Sequence, residues 1–232
     1  MSEDILLRIV TFFPIFLFSL TVHEVAHALT ANWGGDLTAT YQNRLTLNPS
    51  AHIDIVGTII FPLLMVTQGW WLFGWAKPVP VDEQKFRDKA WNVVVSMAGP
   101  FSNLLLIIFG TFVLVFILRG INVGEAMGLW QTGPNLQRSF QSFILSYISL
   151  NWILMLFNMI PIPPLDGSHV LYHFFIRGRG HLYPLWEFFQ RFGFIILWLL
   201  IFLTDVGTVL INLVSGLSIA TYQIVMALSF TA

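Results

Sequence analysis

The chain has 232 residues, of which 56% are hydrophobic and only 10% charged, with a mean hydropathy of +0.75. Soluble domains carry about 25% charged residues, so the composition excludes a soluble globular protein and predicts a single integral membrane bundle with no room for a large soluble domain. A net charge of −1 gives no footing to nucleic acid, and the lack of cysteine excludes disulfides and thiolate metal ligands.

A helix needs about 20 apolar residues to cross a bilayer, and the first such run is Ile5–Ala31. Its flank, Met1-Ser2-Glu3-Asp4, is acidic, unlike the basic start of a removable signal peptide. Within it stands His23-Glu24-Val25-Ala26-His27, an H-E-x-x-H pattern. On a helix the two histidines lie one turn apart on one face and can share one metal ion, with Glu24 in the position of a general base. Such groups are costly inside a membrane span unless they have a function, which favours metal hydrolysis over coincidence.

Gly34-Gly35-Asp36 ends that helix, and the threonines and tyrosine of Leu37–Leu47 predict a small β-hairpin. Ile55–Trp75 is a second apolar run, interrupted by Gly57, Pro62 and Gly69. Trp70, Trp71 and Trp75 read as an interfacial aromatic belt. Ala76–Val81 is held extended by Pro78 and Pro80 and reads as an edge strand; Lys77, Pro78 and Val79 are candidate substrate-binding residues, because an unwound peptide can add to such an edge. Further spans are expected at Trp91–Leu118 and Ser139–Ile160, joined by a polar loop from Gly120 to Arg138. Pro161, Pro163 and Pro164 end the latter span before Asp166-Gly167. Leu185–Leu203 and Val206–Leu228 are the last two, with a tight turn at Thr204-Asp205.

A catalytic zinc takes three protein ligands and an open water position. Asp166, on broken backbone just after a span, fits the third ligand; it equally fits a helix N-cap. Taken together, H-E-x-x-H in the first span, Gly99-Pro100-x-x-Asn103, and Asn158-x-x-Pro161-x-Pro163-x-Leu165-Asp166-Gly167 resemble the site-2 protease family of intramembrane zinc metalloproteases, over about Ile5 to Gly167. The resemblance implies one zinc per chain on His23, His27 and Asp166, Glu24 activating the water, and Asn158 near the scissile carbonyl. It also implies the short form of the family, without a PDZ or CBS domain. Asn103 is a candidate oxyanion or substrate contact, set against a role joining helices.

Geometry constrains the topology. His23 lies roughly 27 Å along its helix from Ile5 at 1.5 Å per residue, toward the exit end, and Asp166 follows the exit end of the Ser139 span. Both reach one metal only if these spans run in the same direction, which makes Ile55–Trp75 re-entrant or surface-lying, broken near Pro62, rather than a full crossing. The expected fold is therefore all-α and polytopic, with about five spanning helices, a re-entrant segment and the hairpin. It forms one domain over 1–232, with a catalytic core at 5–178 and a C-terminal helix pair at 185–228. Arg44, Lys77, Lys85, Arg87, Lys89, Arg177 and Arg179 fall on one side, and Arg8, Arg119 and Arg138 on the other, so the basic loops are expected in the cytoplasm of a cell-membrane protein, with the N-terminus outside.

His52 and Asp54 are candidates for bonding a zinc histidine from behind. His169 and His173 read as a helix face rather than a second metal site. The function expected is cleavage of transmembrane protein substrates within the lipid bilayer, triggered by a regulatory membrane partner or by prior shortening of the substrate. A metal or ion carrier is the rival, since His and Asp on broken helices also line ion paths. A non-catalytic protein that captures membrane helices is the third reading.

Overall fold

A computed structural model describes residues 3–67, 74–126 and 134–230; Trp70, Trp71 and Gly69 lie outside them. The first apolar run forms α1 (Glu3–Gly34), a 32-residue helix that tolerates Pro14 within it. The predicted hairpin is not formed. The buried Asp36 carboxylate accepts from the Thr38 N–H at 2.9 Å and from its hydroxyl, and its other oxygen accepts from the Asp82 N–H at 2.7 Å. Aspartate so placed caps a turn rather than starting a ladder, and the chain enters a one-turn helix, α2 (Thr38–Tyr41). No strand occurs among the described residues.

Asn48 caps a 3-10 turn at Pro49–Ala51, and Asp54 caps a π-helical turn at Ile55–Ile60, which continues as α3 (Phe61–Thr67). The far end of this run comes back to its beginning. The Trp75 N–H donates to Gly57 O at 3.0 Å, and the Thr58 hydroxyl donates to Trp75 O at 2.8 Å. The two ends of the run therefore meet, so it is not a full crossing, as the topology requires. A Cβ at Gly57 would collide with the Trp75 indole, so only glycine lets the two ends meet.

Residues 76–81 are extended, as the prolines dictate, but no strand pairs with them among the described residues. A 3-10 turn at Glu83–Lys85 leads to α4 (Trp91–Ala126), which contains Pro100 and runs eight residues beyond Leu118. Next comes α5 (Pro134–Asn158), so the expected loop from Gly120 to Arg138 is mostly helix. After the proline cluster, α6 (Asp166–Leu171) passes into a π-helical turn at Tyr172–Ile176. The chain ends in α7 (Tyr183–Leu203) and α8 (Val206–Phe230).

Helices α1, α4, α5, α7 and α8 are each long and apolar enough to cross a membrane, so the protein is an all-α, multi-pass membrane protein. Helix α4 is central and packs against α1, α5, α6 and α8 around Phe16, Leu114, Leu118, Ile148 and Val225. Its outer face shows Phe109, Phe112 and Phe116, 63–79% exposed, to lipid. Lipid tails are as apolar as these side chains, so burial does not drive helices together; close packing and interhelical hydrogen bonds do, at about 0.6 kcal/mol per bond. Ser149 to Ser218 at 2.9 Å and Trp152 to Thr221 at 3.3 Å join α5 to α8 in this way.

Asp36 also gives the fold a pH dependence. Burial opposes its charge, but the bonds from Asp82 and Thr38 outweigh it and hold its pKa below the usual carboxylate value. A carboxyl depressed on folding stabilises fully above its unfolded pKa of about 3.9, and that contribution is lost as pH falls through the depressed value. Protection of the Asp82 amide from hydrogen exchange, relative to an unprotected amide at the same pH, is expected to fall on acidification into that range, and Asp36→Asn is expected to remove the dependence.

Candidate metal centre

Helix α1 presents His23 and His27 on one face, with their Nε2 atoms 3.1 Å apart and the residues only 4% and 8% exposed. Asp166, the first residue of α6, brings Oδ2 to 3.2 Å from His23 Nε2 and 3.4 Å from His27 Nε2. Among the described residues this is the one group of three whose donor atoms converge, all lying within 4.8 Å of one another. Leu165, not Asp166, stands at the N-cap of α6, and Asp166 Oδ2 is buried without a hydrogen-bond partner. The capping alternative for Asp166 therefore falls.

The ring nitrogens can be assigned from what they face. His27 Nδ1 lies 2.7 Å from the Val95 carbonyl oxygen, which can only accept, so Nδ1 carries the proton and Nε2 is left with a lone pair. His23 Nδ1 lies 2.7 Å from Asn103 Oδ1 and is likewise the donor. With neutral rings, two nitrogen lone pairs and a carboxylate oxygen thus face one another at 3.1–3.4 Å with no proton between them. Three acceptors so placed repel, and a cation relieves the repulsion. Tetrahedral zinc with bonds of 2.0–2.1 Å separates its ligands by about 3.3 Å, which matches.

Room for an ion comes from α4. A Cβ on Gly99 would run into His27 Nε2 and into Cε1 and Nε2 of His23. Pro100 withholds the N–H that would reach Ser96 O, and its ring opens that turn; the adjacent Val95 carbonyl accepts the hydrogen bond from His27 Nδ1–H. The residues present fit zinc, and nitrogen and carboxylate ligands leaving one open position suit a catalytic rather than a structural site.

Glu24, Asn158, Pro78 and Val79 line a cavity of about 660 Å³ beside the ligands, with apolar walls that include Phe157 and, from α7, Phe194 and Leu197. Glu24 Oε2 accepts from the Val79 N–H at 2.9 Å. The extended segment is held by a buried arginine: Arg44 Nη2 donates to Lys77 O at 2.6 Å and to Pro78 O at 3.1 Å, while the Lys77 N–H donates to His52 O at 2.8 Å. Lys77 is exposed and lies outside the cavity lining. Asn158 donates from Nδ2 to Leu154 O at 2.9 Å.

The remaining residues singled out in the sequence fall as follows. Asn103 is fully buried and directed at His23 instead of the cavity. His52 and Asp54 do not reach the zinc histidines: His52 Nε2 bonds Thr46 O at 2.9 Å and Asp54 caps the π-helical turn. His169 faces Glu83 at 3.8 Å and His173 faces Arg177 at 3.5 Å, so the pair does not converge. Val95 O, Gly99 and Arg44 were missed. Only Gly99 left a trace in the sequence, as the first residue of the Gly-Pro motif.

Comparison with known proteins agrees with this chemistry. The family model described as peptidase family M50 matches residues 74–200, which contain Gly99, Asn103, Asn158 and Asp166. YwhC of Bacillus subtilis, whose name places it among zinc metalloproteases, is 38% identical over 192 residues, covering 82% of this chain and 78% of its own. Rip2 of Mycolicibacterium smegmatis, also named for zinc metalloprotease activity, is 29% identical over 67% of this chain, and Rip2 of Mycobacterium tuberculosis is 27% identical; the chain spans about half the length of either. No solved structure matches. The chain belongs to peptidase family M50, the site-2 protease family of zinc metalloproteases.

Proposed function

We propose that the protein is an intramembrane endopeptidase that hydrolyses peptide bonds within or beside the membrane spans of other proteins. The observation that carries this reading is the placement of three converging ligand atoms and Glu24 at one cavity lined by residues of the span-length helices α1, α4, α5 and α7. His23, His27 and Asp166 hold the zinc. When bound, zinc lowers the pKa of a coordinated water and polarises a carbonyl oxygen.

This chain's own residues supply the rest. Glu24 takes a proton from the attacking water as the new C–O bond forms, then delivers it to the amide nitrogen as the C–N bond breaks. Asn158 has two amide hydrogens, of which Leu154 O engages one; the other donates to the developing oxyanion. A helix shields its peptide bonds with its own hydrogen bonds, so the substrate must be locally unwound, and Pro78 and Val79 offer it an extended edge. Access is lateral, past α7, which contributes Phe194 and Leu197 to the cavity while α8 contributes none. The seven basic residues on the Arg44 side favour a catalytic end toward the cytoplasmic face of the cell membrane, with the N-terminus outside.

The test uses purified protein in liposomes with a single-span test substrate carrying a helix-breaking Asn-Pro pair in its span. Wild type is expected to cleave it, and Glu24→Gln is expected to lose about 10²–10⁴-fold in rate, the usual worth of a general base, with zinc content unchanged. Undiminished cleavage by Glu24→Gln would remove the assigned base. Zinc flux into the liposomes through both forms, without cleavage by either, would support a carrier instead.

A further inference from the structure

Behind His23 a chain of buried amides crosses three helices. Asn151 on α5 donates from Nδ2 to Tyr147 O at 2.9 Å and to Ser19 Oγ at 3.0 Å, and its Oδ1 accepts from Asn103 Nδ2 at 2.9 Å. Asn103 Oδ1 then receives the His23 Nδ1 proton at 2.7 Å. Ser19, Asn103 and Asn151 are all fully buried.

The direction of this chain is not free. A backbone carbonyl only accepts, so Tyr147 O fixes the NH₂ end of Asn151 toward itself. That leaves Oδ1 of Asn151 facing Asn103, which must answer with its own NH₂ group. The oxygen of Asn103 is then the atom left for His23. Flipping any one amide sets acceptor against acceptor on one side and donor against donor on the other, each a buried unsatisfied pair. An asparagine with no such constraint could turn its NH₂ to His23 and place the ring proton on Nε2, where it would block a metal.

We propose that Asn151 is a positioning residue that sets the metal-binding tautomer of His23 through Asn103, with the Tyr147 carbonyl as the origin of the directional information. This rests on the assignment of His23 as a zinc ligand. The role goes beyond joining helices, because a joining bond works in either polarity and this one does not.

The experiment compares zinc affinity and the metal-free ¹⁵N spectrum of His23 in wild type, Asn151→Ala, Asn103→Asp, the double variant and Ser19→Ala. Metal-free wild type is expected to carry the His23 proton on Nδ1, and Asn151→Ala a mixture of tautomers with zinc affinity about 10–100-fold weaker, the range for losing an outer partner of a ligand. The carboxylate introduced by Asn103→Asp offers only oxygens, so it needs no orienting partner, but while Asn151 is present it meets Oδ1 of that amide. The double variant is therefore expected to bind zinc more tightly than either single variant. Ser19→Ala keeps the Tyr147 carbonyl and is expected to remain within about threefold of wild type, well below that range.

A His23 ring that lacks the Nδ1 proton in metal-free wild type overturns the proposal whether or not any variant folds. So does a zinc affinity unchanged in Asn151→Ala, or a loss there that Asn103→Asp does not repair, since a bond that only cements helices would show no rescue. Wild type that binds no zinc but carries the Nδ1 proton would refute the ligand assignment and leave the amide polarity standing.

Discussion

Gly99→Ala is expected to abolish zinc binding and proteolysis together. The added methyl would occupy the space between α4 and the metal-facing edges of His23 and His27. Neither ring can retreat, because Nδ1 of each is tied at 2.7 Å to α4 itself, one to Asn103 and the other to Val95 O. Moving α4 away would break both bonds and the packing of α1 against it. Zinc per chain after dialysis should fall from near one to near none, while the cost to stability stays at about 1–3 kcal/mol, as for other overpacked sites. Gly120→Ala on the same helix meets nothing within 4 Å and should leave zinc unchanged. Full zinc in Gly99→Ala would show that the histidines do not face α4 as described.

Asp166→Asn is expected to lose zinc almost as completely, for a different reason. The amide keeps the volume of the carboxylate but removes its charge, and its NH₂ group can donate to the histidine lone pairs that otherwise repel. Since Leu165 is the N-cap of α6, no cap is lost, so helical content and thermal unfolding of the metal-free protein should stay close to wild type. Zinc affinity should drop by more than the 10–100-fold typical of an outer partner. Competition against a chelator measures the first result and circular dichroism the second. Retention of tight zinc binding would return Asp166 to a purely structural role and remove the reason for α1 and α5 to run in the same direction.

What could be read from the sequence was whatever depends on local spacing. The one-turn separation of His23 and His27, the apolar runs and the proline cluster before Asp166 each work over a few residues. The re-entrant segment was legible for a less direct reason: two ligands must meet, so the number of crossings between them is even. The hairpin failed because the β-propensity of Thr38, Thr40 and Tyr41 is outweighed by one buried carboxylate, Asp36, whose second partner, Asp82, lies 46 residues away. Asn103 was legible as a polar residue in a span, but its partner His23 is 80 residues distant. A buried arginine that clamps two carbonyls, as Arg44 does, has no periodicity at all.

The division of the ligands along the chain also has a consequence for biosynthesis. About 140 residues separate His27 from Asp166, and ribosomes add ~5–20 residues per second, so the two histidines are made roughly seven to thirty seconds before the carboxylate exists. Asn103 emerges within that interval and can accept the His23 Nδ1–H hydrogen bond while the site still lacks its carboxylate. The nascent protein thus passes through a state in which two of the three ligands are held in lipid by their outer partners alone. Completion of α5 and α6 is the event that makes the chain able to hold its ion.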